Sequence, residues 1–218
     1  DILPGGKGDK FNPVVDGHVL PMHPLAAFEA GGQQDVPLII GSNGEDGNVF
    51  TDRLPIRSLA GYRLAVRTLF GTSADRVLKF FPADEGSFRQ MATRLVTVSA
   101  FVAPARRFAR GMANVDASAY VYHFTRVAPQ MTAKRMGAIH GVEIPYVFGA
   151  DMIRALGQTD RDLSDTMGRA WIRFAATGDP SGNGLVWPAY DAGEQYIEFG
   201  DTVEVRSRLY SAECDLFD

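Results

Sequence analysis

The run Val36-Pro-Leu-Ile-Ile-Gly41 limits the folds open to this chain more than any other segment does. It is too short for a core helix and lacks the apolar–polar alternation of a half-wet strand. It therefore predicts a strand over 36–41 covered on both faces, as in a parallel sheet. The polar stretch 42–48 then leaves the carboxyl end of that strand, where open α/β sheets collect their ligands.

The remaining pattern alternates in kind. Ala119-Tyr-Val-Tyr-His-Phe124 is a second strand, rich in aromatic and β-branched residues, and Tyr196-Ile-Glu-Phe199 and Val203–Val205 are shorter ones. Helices are predicted over about 25–30, 58–70, 74–81, 87–112, 159–177 and 206–217. The long helix over 87–112 carries Phe88, Met91, Leu95, Val98, Val102, Ala105, Phe108 and Met112 at three- and four-residue steps, and Pro104 is expected to kink it. The helix over 159–177 gathers Met167, Ala170, Trp171, Phe174 and Ala175 on one face and stops at Gly178-Asp-Pro180. Residues 1–24 are broken by proline and glycine, with short extended pieces around Phe11, Val14, Val15, Val19 and Leu20, and 125–136 is a polar loop. Strands separated by helices, with no repeat and no low-complexity linker, indicate one α/β layered domain without an internal boundary.

A hydrophobic share of 45% is enough to build a core, and a net charge of −4 without basic blocks argues against nucleic acid as a main partner. No stretch approaches about 18 uninterrupted apolar residues, so no membrane span is expected. A single cysteine, Cys214, excludes an internal disulfide framework and a cysteine-based zinc site, and its setting between Tyr210 and Leu216 suits packing. The four histidines lack metal-ligand spacing, so neither a metal nor a cofactor is expected. His18 and His23 fall in the broken opening segment and His123 inside a strand. The chain opens Asp-Ile-Leu-Pro without a basic and apolar leader, so it is expected to be a piece of something longer, and its compartment is not legible.

Chemistry concentrates in two stretches, GSNGEDGNVF at 41–50 and GAIHGVEIPYVFG at 137–149. A base for acyl transfer needs an imidazole oriented by a carboxylate, and His140 with a carboxylate from 45–46 supplies that pair. No G-x-S-x-G accompanies them. The nearest approach, Gly71-Thr-Ser73-Ala-Asp75, has Asp where the last glycine must stand, and Thr72 or Ser73 is better read as a helix N-cap.

Several motifs then agree in order: Pro13-Val-Val-Asp-Gly17 with Val19-Leu-Pro21, Val36-Pro-Leu-Ile-Ile-Gly41-Ser-Asn43, the histidine stretch, and Trp171-Ile-Arg-Phe-Ala-Ala-Thr-Gly178-Asp-Pro180 followed by Trp187-Pro188. Over about residues 11–217 the chain resembles the C-terminal portion of a type-B carboxylesterase, the family that includes the cholinesterases. The resemblance implies the C-terminal part of a single α/β-hydrolase domain across 1–218, a mostly parallel sheet flanked by helices and incomplete without an upstream segment. It puts the catalytic base on His140 and, by register, the acid on Asp46. Asn43-Gly44-Glu45-Asp46-Gly47 inverts the family's usual Asp-Glu pair, so Glu45 is the alternative acid. Val49 and Phe50 correspond to substrate-lining positions, although Phe50 equally suits a core. Glu143 corresponds to a buried carboxylate supporting the histidine loop, against a plain reading as a surface charge.

In α/β-hydrolases the serine precedes the acid and the histidine in the chain, so a nucleophile is expected upstream, in the N-terminal part of the same protein. This chain alone is then expected to be inactive and to expose apolar surface. The implied activity is hydrolysis of small-molecule carboxylic esters. A cholinesterase-like adhesion module without catalysis is the alternative. The absence of aromatics over 130–136 disfavours a choline ester, and Lys134 and Arg135 are either a preference for anionic esters or a solvated loop.

Overall fold

The computed structural model describes residues 13–133 and 137–218. In chain order the elements are α1 (Pro24–Glu29), β1 (Leu38–Asn43), α2 (Asn48–Thr51), α3 (Leu59–Phe70), α4 (Ala74–Phe80), α5 (Phe88–Thr97) and, beyond a π-helical turn at Val98–Val102, α6 (Ala103–Gly111). They continue with β2 (Ala119–Phe124), α7 (Pro129–Ala133), α8 (Ile144–Val147), α9 (Asp151–Arg154), α10 (Gln158–Thr177), β3 (Gln195–Phe199), β4 (Val203–Ser207) and α11 (Ser211–Cys214).

The strands form one small open sheet in the order β1-β2-β3-β4. β1 runs parallel to β2 from Leu38↔Ala119 to Asn43↔Phe124, β2 runs parallel to β3, and β3 and β4 form an antiparallel hairpin. Alternation along β2 divides the core. Tyr120 and Phe124 face Met167, Trp187 and Phe199, beneath α10, while Ala119 and Val121 face Ala109, Met112 and Tyr196, beneath α6. Trp187 is wholly buried and its indole N–H donates to the Val121 carbonyl at 3.1 Å, which satisfies the one polar atom of the ring. A third cluster joins α3, α4 and α5 to the C-terminal residues through Tyr62, Phe81, Leu95, Val98 and Cys214. Cys214 is fully buried, and burial pushes its thiol up to about 12.

Several expectations shift. The first strand begins at Leu38 rather than 36, because Pro37 has no N–H to give the ladder, and it extends through Ser42 and Asn43. Its residues Leu38 to Gly41 are only half-buried, not covered on both faces, and among the described residues β1 pairs with β2 alone. The long helix over 87–112 is two helices around the π turn. That turn widens the backbone just before Pro104, whose ring would crowd the carbonyl one turn earlier. The helix expected over 206–217 shrinks to Ser211–Cys214, because Arg206 and Ser207 pair with Tyr196 and Gln195 in the hairpin. Ser73 precedes α4, but its side chain makes no capping bond. The loop after β2 contains the short α7, and Ala175 is exposed on α10. Val14, Val15 and Val19 form no strand; Asp16 Oδ1 instead gathers the N–H groups of His18, Val19 and Leu20, and Phe11 lies outside the described residues.

Candidate active site

Because β1 and β2 are parallel, the loops that follow them leave from the same end of the sheet. Backbone bonds then bind the two loops together. Gly44 N–H donates to the Phe124 carbonyl and Glu45 N–H to the Ala138 carbonyl, each at 2.9 Å, and Glu45 bridges Ile139 in parallel. One residue on in each loop stand Asp46 and His140. His140 Nδ1 lies 2.8 Å from Asp46 Oδ1, across 94 residues of sequence, while Asp46 Oδ2 accepts the Asn43 N–H at 2.6 Å.

Two glycines make this approach possible. A Cβ on Gly47 would stand 2.3 Å from the Thr93 carbonyl of α5, so only glycine lets the acid loop close on that helix, where its N–H donates to Thr97 Oγ1 at 2.9 Å. Gly141, with φ +81°, turns the chain directly after His140 in the left-handed region that favours glycine.

Asp46 is 2% exposed, and burial raises its carboxyl above the usual range. The Asn43 N–H and the imidazole pull it back down, and the charge of Glu143 adds to the upward side. An ionised Asp46 can only accept, so His140 donates from Nδ1 and its Nε2 is left as the lone-pair acceptor. The His140 side chain is 49% exposed, open enough to exchange a proton with a bound molecule. The rings of Phe50 and Phe101 stand 5.6 Å and 5.1 Å from the imidazole, centre to centre.

The geometry therefore separates the two candidate acids. Asp46 meets the imidazole, whereas Glu45 is exposed and its carboxylate lies over Gly137, where an added Cβ would strike it. Glu143 accepts a hydrogen bond from the side-chain amide of Asn43. Phe50 is brought against His140, and Val49 is half-buried one residue earlier in α2. Lys134 and Arg135 lie outside the described residues. His18 and His23 are exposed, and His123 is buried inside β2 with Nδ1 3.1 Å from Ser42 Oγ. Among the described residues no serine hydroxyl bonds to His140, and no cluster of three or more His, Cys, Asp or Glu is disposed to hold a metal.

Three features escaped the sequence reading. Asn43 and Thr97 clamp the acid loop, and Phe101 is turned toward the imidazole within a π turn that helical periodicity does not reveal. The third is a buried polar cluster below α8. Arg126 grips Asp160 of α10 with two bonds of 2.8 Å, and Tyr146 of α8 donates to the same carboxylate at 2.7 Å. The guanidinium holds Asp160 below the usual carboxylate range, and the Tyr146 bond seats α8, which follows the histidine loop, on α10. Beside the acid loop an open cleft of about 570 Å³ is lined by Glu45, Asp52, Arg89 and Arg94, and neither Asp46 nor His140 lines it.

The profile of the carboxylesterase family matches residues 6–217. Fumonisin B1 esterase of Sphingopyxis macrogoltabida is 31% identical over 205 residues, covering 88% of this chain and 37% of the relative. Para-nitrobenzyl esterase of Bacillus subtilis (strain 168) is 30% identical over 188 residues, with 83% and 37% covered. Acetylcholinesterase of Leptinotarsa decemlineata is 28% identical over 215 residues, with 88% and 34% covered. The chain thus spans roughly a third of the length of these curated relatives.

Proposed function

This chain belongs to the carboxylesterase family, and on that premise we propose that it supplies the acid and the base of a serine esterase acting on carboxylic esters. The observation that carries the reading is the 2.8 Å bond between His140 Nδ1 and the buried Asp46, at the carboxyl ends of two parallel strands. In this reading residues 1–218 are the C-terminal part of one α/β-hydrolase domain. The nucleophilic serine and the oxyanion donors come from the N-terminal part of the same protein. The half-buried, one-sided pairing of β1 supports a further strand docking on that edge.

In this reading the steps are those of a Ser-Asp-His triad. The serine hydroxyl attacks the ester carbonyl while His140 Nε2 takes its proton, and Asp46 stabilises the imidazolium that forms. His140 returns the proton to the departing alcohol, leaving an acyl-enzyme, and water releases the acid by the same route. Glu143 supports the histidine loop, and Phe50 and Val49 line the approach.

Hydrolysis of an aryl ester by the full-length protein, compared with its His140→Ala variant, tests this directly. The expected result is turnover by the wild type and a loss of about 10⁴-fold or more in kcat for the variant. This chain expressed alone is expected to be inactive. Equal turnover by both full-length proteins overturns the assignment, and a folded wild type without turnover favours an adhesion role.

A further inference from the structure

We propose that Asn43 is a positioning residue for the Asp46–His140 pair, its side-chain amide holding the histidine loop in register and keeping Glu143 engaged away from the imidazole. The kinetic consequence rests on the esterase reading, whereas the positioning rests on geometry alone.

Asn43 ends β1 and is 1% exposed. Its backbone N–H holds Asp46 Oδ2, and its side-chain Nδ2 donates both to the Ile139 carbonyl at 2.9 Å and to Glu143 Oε2. Ile139 directly precedes His140 and Glu143 follows it by three residues. One side chain therefore pins the histidine loop on both sides, while the same residue's backbone fixes the acid. Asn43 Oδ1 is buried and has no partner among the described residues. Turning the amide over would set that oxygen against the Ile139 carbonyl and the Glu143 carboxylate, both acceptors, so the orientation is determined by its partners. A buried acceptor left unpaired costs stability, which an apolar side chain of similar size would not incur. The amide is placed here for its two donors.

What those donors control is charge. Asp46 is faced by His140 and Glu143 from the histidine loop and by the Tyr122 hydroxyl from β2, while α5 offers the acid loop the uncharged Thr97. Glu143 already opposes ionisation of Asp46. Bonded to the amide, its carboxylate is held on Asn43. Freed, it becomes a second, unpaired anion beside the buried Asp46, which raises proton affinity across the pair.

The test uses the full-length protein with Asn43→Leu and the smaller Asn43→Ser, each alone and combined with Glu143→Gln. The backbone bond to Asp46 survives in all of them. For each single variant we expect kcat to fall on the order of 10- to 100-fold with KM within about threefold. The acid limb of the kcat/KM profile should rise by about one pH unit, and Glu143→Gln in the same background should bring it back. Histidine-labelled NMR should show the His140 titration moving the same way. A fall in kcat with an unmoved limb, an unmoved His140 titration and no rescue marks a merely structural residue and overturns the inference, as does an unchanged kcat. If the wild type turns over no ester, the esterase reading fails, and the His140 titration still decides the role of Asn43.

Discussion

His123 and His140 each bring Nδ1 to an oxygen, 3.1 Å from Ser42 Oγ in one case and 2.8 Å from Asp46 Oδ1 in the other. Their surroundings send them in opposite directions. His123 points from the middle of the sheet into a setting closed by Tyr196 and Tyr210, and burial lowers its pKa to about 4. A hydroxyl partner offers an imidazolium no counter-charge, so this ring stays neutral and packs. His140 stands on a loop beyond the strand ends, half-exposed, against a buried carboxylate. The strand interior makes a histidine part of the core, whereas the strand end gives it a counter-charge and an open second nitrogen.

The comparison breaks most visibly on the acid. In the full-length protein Asp46→Asn should lower kcat by about 10⁴-fold, because the amide favours the wrong imidazole tautomer, while His123→Gln should leave kcat within about threefold. Steady-state ester hydrolysis measures both. A strong loss from His123→Gln would erase the distinction.

The next effect lies in stability. Burial lowers the His123 pKa from the ordinary 6.5 to about 4 in the folded state, so the unfolded chain binds the extra proton between those values. The His123 contribution is complete above pH 6.5 and should fall by about 3 kcal/mol as pH drops toward 4. His123→Phe should remove that slope in urea unfolding. Asp46 acts with the opposite sign: its raised pKa means that the folded state holds the proton more tightly, so its contribution falls as pH rises through the carboxylate range. Asp46→Asn should remove that second slope.

Smaller effects sharpen the picture. Phe101→Leu, which removes a ring packed on His140 and Phe50, should cost about 1 kcal/mol beyond lost area, read from the denaturation midpoint. Glu45→Gln, at an exposed carboxylate away from the imidazole, should change stability by less than about 0.5 kcal/mol and leave kcat near wild type.

Much of this was legible in the residues. The apolar run at 36–41 announced a parallel strand to within two positions, Ala119–Phe124 fell where its aromatic and β-branched pattern indicated, and Gln158–Thr177 matched the predicted helix almost end to end. Those segments follow a period, and period is what sequence displays. Register against the resembled family favoured Asp46 over Glu45, but the choice did not follow a period. It depends on which carboxylate turns inward beneath the Glu45–Ile139 bridge, a contact made across nearly a hundred residues. The π turn was hidden because its apolar residues still recur at helical steps while the backbone takes in an extra residue. The helix expected over 206–217 is cut short because Val203 and Val205 continue into Arg206 and Ser207, whose hairpin partners override helix propensity.

Mapping the adduct left by an aryl organophosphonate on the full-length protein, by mass spectrometry, goes straight to whether Asp46 and His140 serve a serine outside residues 1–218. The account predicts one covalent adduct on a serine in the N-terminal part, lost in the His140→Ala variant. An adduct on a serine within residues 1–218, or none on a folded wild-type protein, would contradict it.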